Sequence, residues 1–129
     1  MAGNSEIVRS LYQAFGRGDI PAVMQMLSPE IRWTEAEGFP HGGVYTGPDA
    51  VLHNVIANLG SEWQTFAVSP EAYVADGDTV VSLGTYAGVY KATGKRFTAP
   101  FAHVWTLRNG KVVQFHQHTD TALVQQALR

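Results

Sequence analysis

Apolar residues follow two different rhythms along this chain, and the change comes near its middle. Ile7, Val8, Leu11, Tyr12 and Phe15 recur at helical spacing, the stripe of an amphipathic helix. Asn4 or Ser5 is placed to cap it, and Gly16 and Gly18 to end it. Asp19 can cap a second, shorter helix carrying Ile20, Val23, Met24 and Leu27, which stops at Ser28-Pro29. Residues 31–35 read as extended. Residues 37–47 hold four glycines and a proline and read as a loop. Gly47-Pro48-Asp49 opens a third helix with proline in its first turn, its apolar side formed by Val51, Leu52, Val55, Ile56 and Leu59.

The second half changes to strand-like patterning. Four segments rich in β-formers cover about 64–75, 79–90, 96–107 and 111–119. They are separated by Asp76-Gly77-Asp78, Thr93-Gly94 and Asn109-Gly110, the last a strong hairpin signal. A short helix is expected over 121–128. Helices first and long strands afterwards predict an α+β fold, with helices packed on one face of a curved antiparallel sheet. At 129 residues the chain is expected to form one domain spanning 1–129.

Composition narrows the function classes. Only 16% of residues are charged and the net charge is −2. With no basic run, nucleic-acid binding is disfavoured. Zero cysteines exclude disulfides, a thiolate nucleophile and a cysteine zinc site. No apolar run approaches 18 residues and no charged-then-apolar leader opens the sequence, so a cytoplasmic protein without membrane attachment is expected.

Chemistry concentrates in Phe115-His116-Gln117-His118-Thr119-Asp120. Alternate residues on a strand share a face, so His116, His118 and Asp120 are expected to point together. A two-residue Asn109-Gly110 turn places His103 opposite His116, Phe101 opposite His118 and Trp105 opposite Gln114. A Thr93-Gly94 turn places Tyr86 opposite Phe101, Gly84 opposite His103 and Gly88 opposite Ala99. These two glycines are expected to leave a gap beside the histidines, as a ligand pocket requires. The other face, with Val81, Leu83, Ala87, Val89, Ala102, Val104, Val113 and Phe115, is too apolar to lie free in water, and a homodimer through it is expected. Three imidazoles and a carboxylate are also ligand types for zinc or non-haem iron. Alternate strand residues stand about 6–7 Å apart, however, and neither metal nor cofactor is expected.

Several motifs together resemble the SnoaL-like polyketide cyclase group of the NTF2-like, ketosteroid isomerase-like superfamily. They are Leu11-Tyr12-x-x-Phe15-x-x-Gly18-Asp19, Leu27-Ser28-Pro29-x-Ile31-x-Trp33, Gly43-x-Tyr45-x-Gly47-Pro48, and His103-Val104-Trp105-x-Leu107-x-Asn109-Gly110-Lys111-Val112 with the closing Asp120. The resemblance implies a cone-shaped α+β barrel with one deep pocket, usually dimeric. It also implies that an aspartate at the end of the last strand, here Asp120, serves as general acid/base in an aldol closure.

On that reading Asp120 abstracts a proton α to the carbonyl of a small apolar compound, and His103 with His118 stabilises the enolate. Trp33, Tyr45, Tyr86, Phe101, Trp105 and His116 line the substrate. Asp120 is equally suited to cap the last helix, and Glu35 reads as a solvated carboxylate. The alternative is a module that holds a small ligand in the same pocket without turning it over.

Overall fold

The computed structural model of the protein describes residues 3–129. Helices α1 (Asn4–Gly16) and α2 (Ile20–Met26) lead into strands β1 (Leu27–Glu35) and β2 (Gly43–Thr46). Helix α3 (Pro48–Val51), a π-helical turn (Leu52–Ile56) and helix α4 (Ala57–Glu62) follow one another without a break. Strands β3 (Trp63–Asp76), β4 (Thr79–Tyr90), β5 (Arg96–Arg108) and β6 (Lys111–Thr119) precede helix α5 (Thr121–Leu128).

Local chemistry explains most of these boundaries. Val8, Leu11 and Ala14 bury one face of α1. Its cap is Gly3 rather than a side chain; the Asn4 amide instead donates to the Gly77 carbonyl at 3.1 Å, tying α1 to the β3–β4 turn. Asp19 caps α2 as expected, accepting from the Ala22 amide at 3.2 Å. Ser28-Pro29 lies inside β1 instead of separating it from α2. The glycine-rich segment after β1 holds a short strand, β2, which pairs with β1 and sets Tyr45 beside Trp33.

The six strands form one curved, open sheet in the order β2-β1-β6-β5-β4-β3. Every pairing is antiparallel except β1 with β6, which makes the sheet mixed. Residues such as Val8, Leu11, Val23, Ile31, Val55 and Trp105 build the main core between the helices and the sheet. A second cluster joins Phe39, Trp63, Phe97 and Phe101 to Val124 and Ala127 of α5.

Two registers differ from expectation, with different consequences. At the β5–β6 hairpin Asn109 and Gly110 have φ of 54° and 76°, the left-handed pair that a two-residue turn needs. Arg108 then faces Lys111 and Leu107 faces Val112 as expected. A bulge follows, and Thr106 faces Gln114 with Val113 left over. Beyond it His103 lies opposite Gln117, not His116, and Phe101 lies opposite Thr119, not His118. One extra residue turns every later side chain of β6 to the other face.

The β4–β5 connection is longer than a two-residue turn. The Tyr90 amide bonds to the Lys95 carbonyl, and Phe101 faces Gly84 while His103 faces Ser82. This offset is even, so the faces survive it. The expected glycine gap does not: a methyl on Gly84 would meet the Ser69 carbonyl at 2.3 Å and the Phe101 ring at 2.5 Å. Gly84 admits an aromatic ring and a neighbouring strand rather than a ligand.

Candidate active site

The bulge sets the membership of the site. Ile31, Trp33 and Glu35 alternate along β1 and are all buried, so the last apolar position of that face is a carboxyl. Phe115 and Gln117 from β6, His103 and Trp105 from β5, and Tyr86 from β4 point the same way. With Tyr12 of α1, Phe39 and the helix above, they enclose a cavity of about 70 Å³. Its walls are almost entirely apolar and aromatic.

Two polar features face that cavity. Glu35 is 4% exposed, and its Oε1 accepts from Trp33 Nε1 at 2.7 Å. Burial lifts its pKa from 4.5 to about 7, opposed by the Trp33 hydrogen bond, which favours the ionised form. The carboxyl can therefore hold or release a proton near neutral pH.

The second feature is a hydrogen-bonded chain centred on His103. Tyr12 Oη lies 2.5 Å from its Nδ1, and Tyr86 Oη bonds its Nε2. Tyr12 Oη also meets Ser82 Oγ at 2.6 Å, which accepts from Trp105 Nε1 at 3.0 Å. At the other end Gln117 Nε2 donates to Tyr86 Oη at 3.0 Å. Gln117 Oε1 accepts from the Ala36 amide at 2.9 Å, which orients the amide. Burial, with a smaller push from His118, lowers the His103 pKa from 6.5 to about 3, so the ring is neutral. A neutral imidazole donates through one nitrogen and accepts through the other, matching a hydroxyl on each side. Burial also raises both tyrosine hydroxyls well above their ordinary pKa, so they stay protonated.

Trp33, Tyr86, His103 and Trp105 thus line the cavity. His103 has both nitrogens engaged, so it orients the tyrosines rather than meeting a ligand itself. Phe101 is buried and stacks on His103 with ring centres 4.1 Å apart, outside the cavity wall. Tyr45 turns away and donates to the His41 carbonyl at 2.6 Å.

His116 and His118 are on the opposite face of the sheet, stacked on each other at 4.5 Å. They border an outer depression of about 350 Å³ with Arg32 and Thr34. Asp120 is exposed and caps α5, its Oδ1 accepting from the Leu123 amide at 3.3 Å. The two histidines were expected on the face of His103, with Asp120 beyond the strand end; the bulge carries the histidines to the other face, and Asp120 caps α5. Phe115, expected on the outer face, lies inside for the same reason. Among the described residues no group of three or more metal-ligand side chains is placed to hold an ion. No described helix is long and apolar enough to cross a membrane.

Glu35, Tyr12 and Gln117 are the functional candidates that sequence reasoning missed or underrated. The alternation Ile31-x-Trp33-x-Glu35 carried the signal for the first, since a carboxyl in phase with buried residues is itself buried.

The model for the SnoaL-like domain matches residues 8–115. The chain belongs to the SnoaL-like domain family. Among solved structures it is similar to an NTF2-like protein from Burkholderia thailandensis E264, with 43% identity, a TM-score of 0.96, and coverage of 100% of this chain and 99% of that one. An NTF2-like protein of unknown function from Burkholderia pseudomallei K96243 is 33% identical, with a TM-score of 0.90 and 98% of both chains covered. TerC, co-crystallised with polyporic acid, is 25% identical, with a TM-score of 0.87 and 97% of both chains covered. No curated protein matches the chain.

Proposed function

We propose that this SnoaL-like protein is a cofactor-independent acid–base enzyme acting on a small apolar carbonyl compound, with Glu35 as proton carrier. The observation that carries the reading is a carboxyl with a pKa near 7 at the wall of an apolar, aromatic cavity. A general base works best when its pKa lies close to the operating pH. Asp120 is exposed and engaged as a helix cap, which favours Glu35 for the role first expected of Asp120.

The ionised Glu35 takes a proton α to the substrate carbonyl, and the C–H electron pair moves into an enolate. Tyr86, held between His103 and Gln117, donates to the enolate oxygen when its hydroxyl turns to the cavity. The enolate then regains the proton at another carbon, an isomerisation, or attacks a second carbonyl, an aldol-type closure. Electrons and protons balance without an oxidant. Co-crystallisation of the relative TerC with polyporic acid supports a small organic ligand.

The test is solvent-deuterium incorporation α to the carbonyl in a panel of cyclic ketones and 1,3-diketones. Wild type and Asp120→Asn are expected to catalyse exchange at rates within about threefold of each other, while Glu35→Gln loses it. A fully active Glu35→Gln variant, or an Asp120→Asn variant as dead as a general-base deletion, would overturn the assignment.

The protein is further proposed to be a homodimer through the outer face of the sheet. Leu83 is 43% exposed there, and Ala87 and Val104 share that face. Sedimentation at micromolar concentration is expected to give twice the chain mass, and a monomer contradicts the proposal.

A further inference from the structure

A second, much smaller void adjoins the cavity on the side of the 36–42 loop. Its volume is about 10 Å³, on the order of one water. Both spaces are bordered by Glu35, Phe39, Val55 and Leu59. Three of those four are apolar, so the partition between them is greasy except for one carboxyl. Beyond the partition the small void is bordered by His41 and Glu62, which form a half-exposed pair with His41 Nε2 2.7 Å from Glu62 Oε1. A buried carboxyl and a surface imidazole–carboxylate pair therefore share one water-sized space.

The local backbone holds that imidazole in place at a cost. His41 has a φ of +63°, a left-handed conformation that non-glycine residues adopt uncommonly, histidine more readily than most. Around it the Phe39 amide bonds to the Ala36 carbonyl, the Gly42 amide to the Phe39 carbonyl, and Tyr45 Oη to the His41 carbonyl. Gly42 is required in this turn, because a methyl there would lie 2.5 Å from the Ala36 carbonyl. An ordinary turn needs no imidazole at a left-handed position, and glycine or asparagine fits it with less strain.

We propose that the His41–Glu62 pair is a proton relay that connects Glu35 to solvent through the small void. The proposal rests on Glu35 being the proton carrier. A ligand filling the apolar cavity separates Glu35 from water on that side. Each turnover that ends with the wrong protonation state of Glu35 then needs a second route for the proton. Imidazole suits such a route because it can take a proton at one ring nitrogen and release one from the other, and the Glu62 carboxylate aims the ring. His41 acts through Glu35 and does not touch the substrate, so it is a positioning and relay residue.

The experiment follows the Glu35 side-chain carboxyl by 13C NMR through its titration, in the full chain with the cavity saturated by cyclohexane, an apolar probe that carries no proton. Wild type is expected to give one signal that moves continuously with pH. His41→Asn tolerates the left-handed backbone but cannot titrate. It is expected to slow proton exchange about tenfold or more, broadening or doubling the signal, and free imidazole is expected to restore the wild-type lineshape. Glu62→Gln, on the other side of the pair, is expected to slow exchange in the same direction. Unchanged exchange in both variants overturns the relay. The acid–base reading fails separately, if wild-type Glu35 titrates in the range of ordinary carboxyls.

Discussion

Glu35→Gln is expected to abolish proton transfer and, in alkaline solution, to make the protein more stable. General-base removal costs roughly 10²–10⁴ in rate. Glutamine keeps the oxygen that accepts from Trp33 Nε1 and the volume of the side chain, so binding of an apolar ligand is expected to persist. The stability effect follows from linkage. The Glu35 pKa rises from 4.5 in the unfolded chain to about 7 in the native state, so between those values the native state binds the extra proton. The stability associated with Glu35 is full below pH 4.5 and falls as pH rises through 7. The cost of holding the buried carboxylate reaches about 3 kcal/mol at pH 8.5. Glutamine does not ionise and avoids it. Thermal unfolding is expected to show the variant about 10 °C more stable at pH 8.5 and matched to wild type at pH 4.5. Equal melting temperatures at both pH values would mean that Glu35 is not a buried carboxyl with a raised pKa.

The second large effect concerns His103 and runs in the opposite direction along the pH axis. Its pKa falls from 6.5 to about 3 on folding, so between these values the unfolded chain binds more protons. The stability associated with His103 is full above pH 6.5 and is lost as pH falls toward 3, at roughly 1.4 kcal/mol per unit. Protonating the ring also removes the acceptor that one tyrosine hydroxyl requires. His103→Asn is expected to cost about 2–3 kcal/mol at pH 7, because buried hydroxyls of Tyr12 and Tyr86 lose a partner. Urea unfolding across pH 4–8 is then expected to show this deficit shrinking as pH falls, since the variant has no imidazole to charge. A constant deficit would mean that burial does not lower the His103 pKa. Between pH 4.5 and 6.5 the Glu35 and His103 contributions oppose each other, so wild-type stability is expected to be nearly level there.

The two residues show how differently parts of the site were visible beforehand. His103 could be read as buried because it is in phase with Phe101 and Trp105 on one strand face. Glu35 is in phase with Ile31 and Trp33 in the same way, yet charge argued for solvent, and composition alone cannot weigh those two signals. Its burial depends on β6 lying parallel to β1 and bringing Phe115 and Gln117 against it. Tyr12 was read as helix core, and only the sheet beneath α1 shows its hydroxyl reaching His103.

Local pattern determined the main helices, the four long strands of the second half, the Asp19 cap and the Asn109-Gly110 turn, because these depend on neighbours a few residues away; β2, read as loop, and Ser28-Pro29, read as a helix stop but lying inside β1, needed the strand pairing. The family was legible for a related reason, since its motifs sit at the same turns and strand ends. Tertiary structure alone decided which face of β6 meets the cavity. A single bulge at Thr106–Leu107 leaves the hydrophobic count unchanged but reverses the side chains that follow. His116 and His118 therefore face outward, Gln117 faces inward, and among the described residues the carboxyl that lines the cavity is that of Glu35, on a strand far away in sequence.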